Sequence, residues 1–118
     1  MFGAHYKLDN VTAIVDYNKF QSDDLNTNIT ALEPLIDKFK AFGWHTVEID
    51  GHNFGEIASA VDRARKIKGK PSMIVAHTVK GKGISFMEND PKWHGSLAPC
   101  GEERARALRE CGCTEPMP

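Results

Sequence analysis

The stretch from Ile74 to Gly95, reading IVAHTVKGKGISFMENDPKWHG, gathers the residue types best suited to chemistry in this chain. An apolar run from Met73 to Ala76 gives way to His77, Lys80 and Lys82, with Gly81 and Gly83 beside the lysines. Glycines there let the backbone turn tightly and present N–H groups next to two cations, a combination that suits phosphate or diphosphate. The same pattern also makes an ordinary exposed turn with solvated lysines. Further on, Trp93-His94-Gly95 places a titratable imidazole after a proline-containing segment that can fold back over the same pocket. A second polar cluster, Asp16-Tyr17-Asn18, follows the apolar run Val11 to Val15.

Both clusters need elements to hold them, and the pattern of the chain supplies these. Met1 to Leu8 has helical composition and ends at the turn signal Asp9-Asn10; Val11 to Val15 reads as a buried strand. Asn18 to Asn28 is too polar and irregular for a regular element. Thr30 with Glu33 forms a capping signal for a helix from about Ala31 to Phe42, whose Leu32, Leu35, Ile36 and Phe39 share one face, and Gly43 stops it. His45 to Ile49 reads as a second strand and Asp50-Gly51-His52 as a structural turn. Asn53 and Glu56 then cap a helix from Phe54 to about Lys68, with Phe54, Ile57, Ala58, Val61 and Ala64 as its apolar face. After the break at Gly69-Lys70-Pro71, Ser72 to Ala76 reads as a strand covered on both sides, Gly101 to Glu110 as a helix, and 111–118 as a loose tail.

This order predicts an α/β chain: a partial, doubly wound parallel sheet of about three strands with flanking helices. In such sheets ligands sit beyond the carboxyl ends of the strands, where both polar clusters fall.

Composition bounds the function further. With 118 residues, 41% of them hydrophobic, the chain amounts to one domain or part of one. Its 15 basic and 16 acidic side chains nearly cancel, which argues against nucleic acid as a partner. No apolar run is long enough to cross a bilayer, and Met1-Phe2-Gly3-Ala4-His5 lacks the regions of a signal peptide, so the expected address is the cytoplasm. Cys100, Cys111 and Cys113 lack the spacing of a zinc knuckle or redox pair and read as unpaired thiols. His5, His45, His52, His77 and His94 include no i, i+4 pair, which argues against a histidine-built zinc site.

Three runs together carry a resemblance: AHYKLDNVTAIVDYNKFQSDD, LEPLIDKFKAFGWHTVEIDGHNF and KGKPSMIVAHTVKGKGISFMENDPKWHG. They resemble the N-terminal, thiamine-diphosphate-binding domain of transketolase, specifically its C-terminal half, from Met1 to about Cys100. The resemblance implies a thiamine-diphosphate-binding fold spanning 1–118 as a single partial domain, and transfer of a two-carbon ketol unit between sugar phosphates, as in the pentose phosphate pathway. It carries Asn18 over as a side-chain ligand of the divalent ion and the Phe20 carbonyl as a second. Magnesium and calcium prefer such hard oxygen donors, although Asn after a strand also serves as a plain turn former. Lys80 carries over as a cofactor-binding residue, and His94 as a cofactor-binding and catalytic imidazole near the diphosphate and the reacting end of the substrate; a histidine beside an aromatic residue also commonly just packs. Where the family often has glycine after the asparagine, this chain has Lys19.

The family's signature pairs a Gly-Asp-Gly with the later asparagine, and this chain supplies only the second half. The expectation is therefore a chain inactive alone: the N-terminal subunit of a split transketolase, or a truncated form. A homo-oligomer or a complementary transketolase chain would complete the site. Two other readings stand beside it, a fragment of a deoxyxylulose-phosphate-synthase-like enzyme and a non-catalytic, self-associating α/β module.

Overall fold

The computed structural model describes residues 1–22, 24–95 and 97–113; the last part of the expected tail, 114–118, lies outside the described residues. In chain order the elements are α1 (Phe2–His5), β1 (Thr12–Tyr17), β2 (Phe20–Gln21), β3 (Asp24–Leu25), α2 (Asn26–Ile29), α3 (Leu35–Ala41), β4 (His45–Asp50), α4 (Phe54–Lys66), β5 (Ser72–His77), a 3-10 turn (Pro91–Trp93) and α5 (Gly101–Glu110).

β1, β5 and β4 form one parallel sheet in that order, so the last strand in the chain occupies its centre. The reason is written in β5 itself. Its near-continuous apolar run suits burial on both faces, and every residue from Pro71 to Ala76 is buried. On one face Ile74 and Ala76 of β5 join Ile49 of β4 against Ala60 of α4, with Val47, Ile57 and Val61 packed around them. On the other lies α3, which packs against β4 and continues into a turn where the rings of Phe39 and Trp44 meet edge to face at 5.9 Å. Helices thus cover the two faces over β4 and β5, as the sequence pattern predicts, whereas β1, expected to be buried, alternates exposed and half-buried residues, with Ile14 59% exposed.

The start of α4 follows its sequence signal closely. The Asn53 side-chain oxygen accepts from the N–H groups of Gly55 (3.0 Å) and Glu56 (3.2 Å), satisfying two donors that the first helical turn leaves open. Its buried stripe departs from expectation in part: Ile57, Val61 and Ala64 lie on it as expected and Ala60 joins them, while Phe54 is 88% exposed and Ala58 is also exposed. Small side chains at Ala60 and Ala64 let the helix axis approach the strands, and the larger Ile57 and Val61 fill the flanks.

Three expectations need correction. The second helix begins at Leu35, not Ala31. Glu33 precedes Pro34, and the proline ring drives the residue before it out of the helical region, so the chain stays extended until the proline is passed. The N-cap position falls to Pro34 rather than Thr30, and the Glu33 carboxylate, one residue ahead of it, accepts from the Leu35 N–H at 3.0 Å. The segment Asn18 to Asn28 is not irregular: β2 and β3 pair as a short antiparallel ribbon that runs into α2. Its polar side chains bond the local backbone and each other, as where Asp24 accepts from the Leu25 N–H and from the Asn28 amide. The first helix spans Phe2–His5 only; Lys7, at φ 52°, has already left the helical region.

Candidate functional site

Register places two of the candidate residues. β1 and β5 are parallel neighbours with Tyr17 opposite His77, so Asn18 and Thr78 leave the sheet side by side at its carboxyl edge. The Thr78 N–H donates to the Tyr17 carbonyl at 3.3 Å, and the Thr78 hydroxyl donates to the Asp16 carboxylate. From the opposite side, the Gly51 N–H donates to the His77 carbonyl at 2.8 Å and the Val79 N–H donates to Nε2 of His52 at 2.7 Å. The three residues before Lys80 are therefore held from both neighbouring strands.

Beyond them the two lysines part company. Lys82 lies 3.6 Å from Glu88, and the same carboxylate accepts from the Gly83 N–H at 3.1 Å. That backbone hydrogen bond, helped by the Lys82 charge, holds the Glu88 carboxyl below the usual glutamate range. The anion site that Lys82 and Gly83 offer is thus filled from within the chain. Lys80 has no ion pair and no side-chain hydrogen bond among the described residues, and is half-buried. Its carbonyl accepts from the Asn89 N–H at 2.9 Å, which closes the loop. Gly81, at φ +75°, sits so close to Met87 that any side chain would run into the Met87 backbone.

His94 closes the same loop. Asp90 accepts from the Lys92 N–H at 2.9 Å and, with Pro91 in the first position, starts the 3-10 turn. Trp93 is buried, donates through Nε1 to the Phe86 carbonyl at 3.2 Å and meets the Phe86 ring at 5.5 Å. This anchor sets His94, whose buried Nδ1 has no hydrogen-bond partner among the described residues. A buried polar atom left unpaired costs about 1–3 kcal/mol, so His94 has a position waiting for a partner.

Asn18 is half-buried, and its side-chain oxygen accepts from the Phe20 N–H at 2.9 Å. An amide oxygen has two acceptor positions, so one stays open to a cation. Among the described residues no group of three or more His, Cys, Asp or Glu side chains could hold a metal. A divalent ion here would rest on the neutral Asn18 and Phe20 oxygens and on donors from outside them, for which an anionic diphosphate is the natural source. The residues present thus fit the expected cofactor. Asn18 and Lys80 share the carboxyl edge of adjacent strands, and His94 belongs to the Lys80 loop; no hydrogen bond among the described residues joins the three directly.

A separate cleft of about 210 Å³ opens on the α3 face. In its wall the Tyr17 hydroxyl donates to Glu33 at 2.5 Å, and His77 Nε2 lies 2.7 Å from Glu48. The hydrogen bond to Glu33 pushes the Tyr17 hydroxyl up from its usual range and, from the other side, holds the Glu33 carboxyl down. None of Asn18, Lys80 and His94 lines this cleft.

Residues 1–117 match the family described as "Transketolase, thiamine diphosphate binding domain". The chain belongs to the transketolase family. Its three-stranded parallel sheet is that family's thiamine-diphosphate-binding fold: the transketolase of Campylobacter jejuni subsp. jejuni superposes with a TM-score of 0.82 at 32% identity, over 94% of this chain and 17% of that one. Among transketolase-family relatives, the 6-deoxy-6-sulfo-D-fructose transketolase subunit SqwG of Clostridium sp. (strain MSTE9) is 54% identical over 88 residues, covering 75% of this chain and 32% of that protein. An apulose-4-phosphate transketolase subunit from Phocaeicola vulgatus is 37% identical over 110 residues, covering 93% of this chain and 39% of that protein. This transketolase chain thus spans about a third of the length of these curated relatives.

Sequence reasoning within the transketolase family missed the part played by Glu88, and it read Asp16 only as a member of a polar cluster and His52 only as a member of a structural turn. Glu88 occupies the neighbourhood of Lys82, while Asp16 and His52 hold the strand exit. The signal for His52 lay in its place directly after the Asp50-Gly51 turn, at the carboxyl edge of β4; the partners of Glu88 and Asp16 depend on tertiary contacts that spacing does not reveal. Among the described residues no helix is long and apolar enough to cross a membrane.

Proposed function

We propose that this chain supplies one half of a thiamine-diphosphate site for ketol transfer, in a transketolase assembled from more than this segment. The observation that carries the reading is the shared carboxyl edge of β1 and β5, where Asn18 leaves the sheet beside Thr78, two residues ahead of Lys80, whose side chain has no ion pair among the described residues. Lys80 binds diphosphate oxygens as a compact charge. Asn18 and the Phe20 carbonyl hold magnesium or calcium against the same diphosphate. His94 offers its Nδ1 to the cofactor or to a developing alkoxide on the substrate, in a buried setting that strengthens such a hydrogen bond. Bound thiamine diphosphate supplies the carbon nucleophile that ketol transfer requires.

The relatives named as subunits support a complementary transketolase chain as the partner. Their names also point to ketoses with a terminal anionic group, a sulfonate in one case and a phosphate in the other. We place the substrates of this chain in that class. Calorimetric titration with thiamine diphosphate, with and without magnesium, tests the reading, first on the chain alone and then with a complementary transketolase chain present. Magnesium-dependent binding that weakens at least tenfold in both Asn18→Ala and Lys80→Ala is the expected result. Binding indifferent to magnesium and to both substitutions, or no binding even with the complementary chain, overturns it.

A further inference from the structure

We propose that His52 is a positioning residue for the cofactor loop: its unprotonated Nε2 accepts the Val79 N–H and so sets where the Lys80 ammonium stands. The inference rests on the cofactor reading above but goes beyond it, because His52 itself need touch neither cofactor nor substrate.

Val79 directly precedes Lys80, and its N–H donates to Nε2 of His52 across 2.7 Å. A backbone N–H can only donate, so this nitrogen must be the acceptor and the ring proton must sit on Nδ1. The backbone that carries the imidazole is itself fixed from below. The His52 N–H donates to the Asp50 carboxylate at 2.9 Å, and the Asp50 N–H donates to Glu56 in the first turn of α4, also at 2.9 Å. The turn therefore stands on the helix that covers the sheet. Gly51 brings it onto the strand exit: a Cβ there would fall 2.5 Å from Thr78 Cγ2 and 3.1 Å from the His77 carbonyl oxygen, so only glycine allows this approach. With Thr78 held by Asp16 and Tyr17 on the far side, the chain enters Lys80 between two fixed rails. His52 is the last grip before the lysine, and it acts through a single hydrogen bond.

The acceptor can be removed without emptying the space. His52→Leu fills comparable volume with no acceptor, whereas His52→Gln keeps an amide oxygen near the place of Nε2. Hydrogen exchange at the Val79 amide, read residue by residue by NMR on the 118-residue chain, reports the latch directly. Exchange should rise roughly tenfold in His52→Leu and stay within about threefold of the original chain in His52→Gln, in line with the loss or retention of one hydrogen bond. Thiamine diphosphate affinity, titrated with the complementary chain present, should follow the same order, with Lys80→Ala setting the scale of full loss. Unchanged Val79 exchange in His52→Leu, or equal loss in both variants, overturns the proposal, as does faster exchange without any change in affinity. If the unsubstituted protein binds no thiamine diphosphate, the functional reading falls, and Val79 exchange alone still decides whether His52 holds the loop.

Discussion

Lys19 carries a conformation better suited to glycine. It sits at φ 69° between the two candidate metal ligands, Asn18 and Phe20, in a region where a Cβ meets the following carbonyl and costs about 1–2 kcal/mol. Asn18 accepts from the Phe20 N–H across this residue, and the Asn26 N–H donates to the Lys19 carbonyl at 2.9 Å, so the surrounding bonds enforce the strained geometry. Lys19→Gly should raise stability by up to about 1 kcal/mol, the relief being partly offset by the greater freedom of glycine in the unfolded chain. A higher thermal midpoint with the Asn18 hydrogen bond retained is the expected outcome; a lower midpoint would show that this backbone is not strained. At this scale the sequence distinguishes candidates poorly. Lys80 and Lys82 look alike as a pair of lysines flanked by glycines, and only the fold reveals that Glu88 pairs with Lys82 while Lys80 has no ion pair among the described residues.

Between elements, α5 is tied to the site loop by the Lys92–Glu103 ion pair at 3.6 Å and by a polar cluster around Glu110. Glu110 accepts from the Ser85 N–H at 2.5 Å, from the Ser85 hydroxyl at 2.9 Å and from Nε of Arg106 at 2.8 Å, while the Arg106 guanidinium stands 5.1 Å from the centre of the Phe86 ring. The Ser85 N–H, then Arg106, holds the Glu110 carboxyl below the usual glutamate range. A depressed carboxyl stabilises the fold above the ordinary value of about 4.3 and loses that contribution as pH falls through the lowered one. The difference in unfolding midpoint between the original chain and Glu110→Gln should therefore hold steady from neutral pH down to about 5 and shrink at more acid pH. A difference that grows on acidification would contradict this. Legibility also varies by element. β5 and α4 were readable because an unbroken apolar run and an asparagine cap act locally, whereas the start of α3 was misplaced because a helical apolar pattern competed with the proline effect on Glu33. The ribbon of β2 and β3 escaped notice because its polar side chains, and not an apolar periodicity, hold it.

The whole molecule is too extended for a domain of its length. Its radius of gyration is 17.9 Å and its extents are 52 × 32 × 21 Å, against roughly 13–14 Å for the radius of a compact domain of this size. The sheet shows where cover is lacking. β4 and β5 bury Ile49, Ile74 and Ala76 under α4, but on β1 the matching Ile14, paired in register with Ile74, is 59% exposed. β1 is also an edge strand, and an edge with an apolar residue on its open face invites pairing with another chain. The parallel sheet was legible in the alternation of helix and strand patterns, and the reading as a self-associating module already allowed for uncovered apolar surface, but that the gap falls on β1 was not legible, because it depends on which strand ends at the edge. Association through β1 is expected: the purified chain should show a mass above that of a monomer by light scattering at tens of micromolar, and Ile14→Lys should shift it towards the monomer. The substitution removes an exposed apolar side chain without touching the buried set around Ile74, so thermal stability should change by less than about 0.5 kcal/mol. A monomeric original chain would mean that this edge is closed in some other way. Association unaffected by Ile14→Lys would move the contact to another exposed apolar patch, such as that around Phe2 and Tyr6, whose rings lie 4.4 Å apart at the surface.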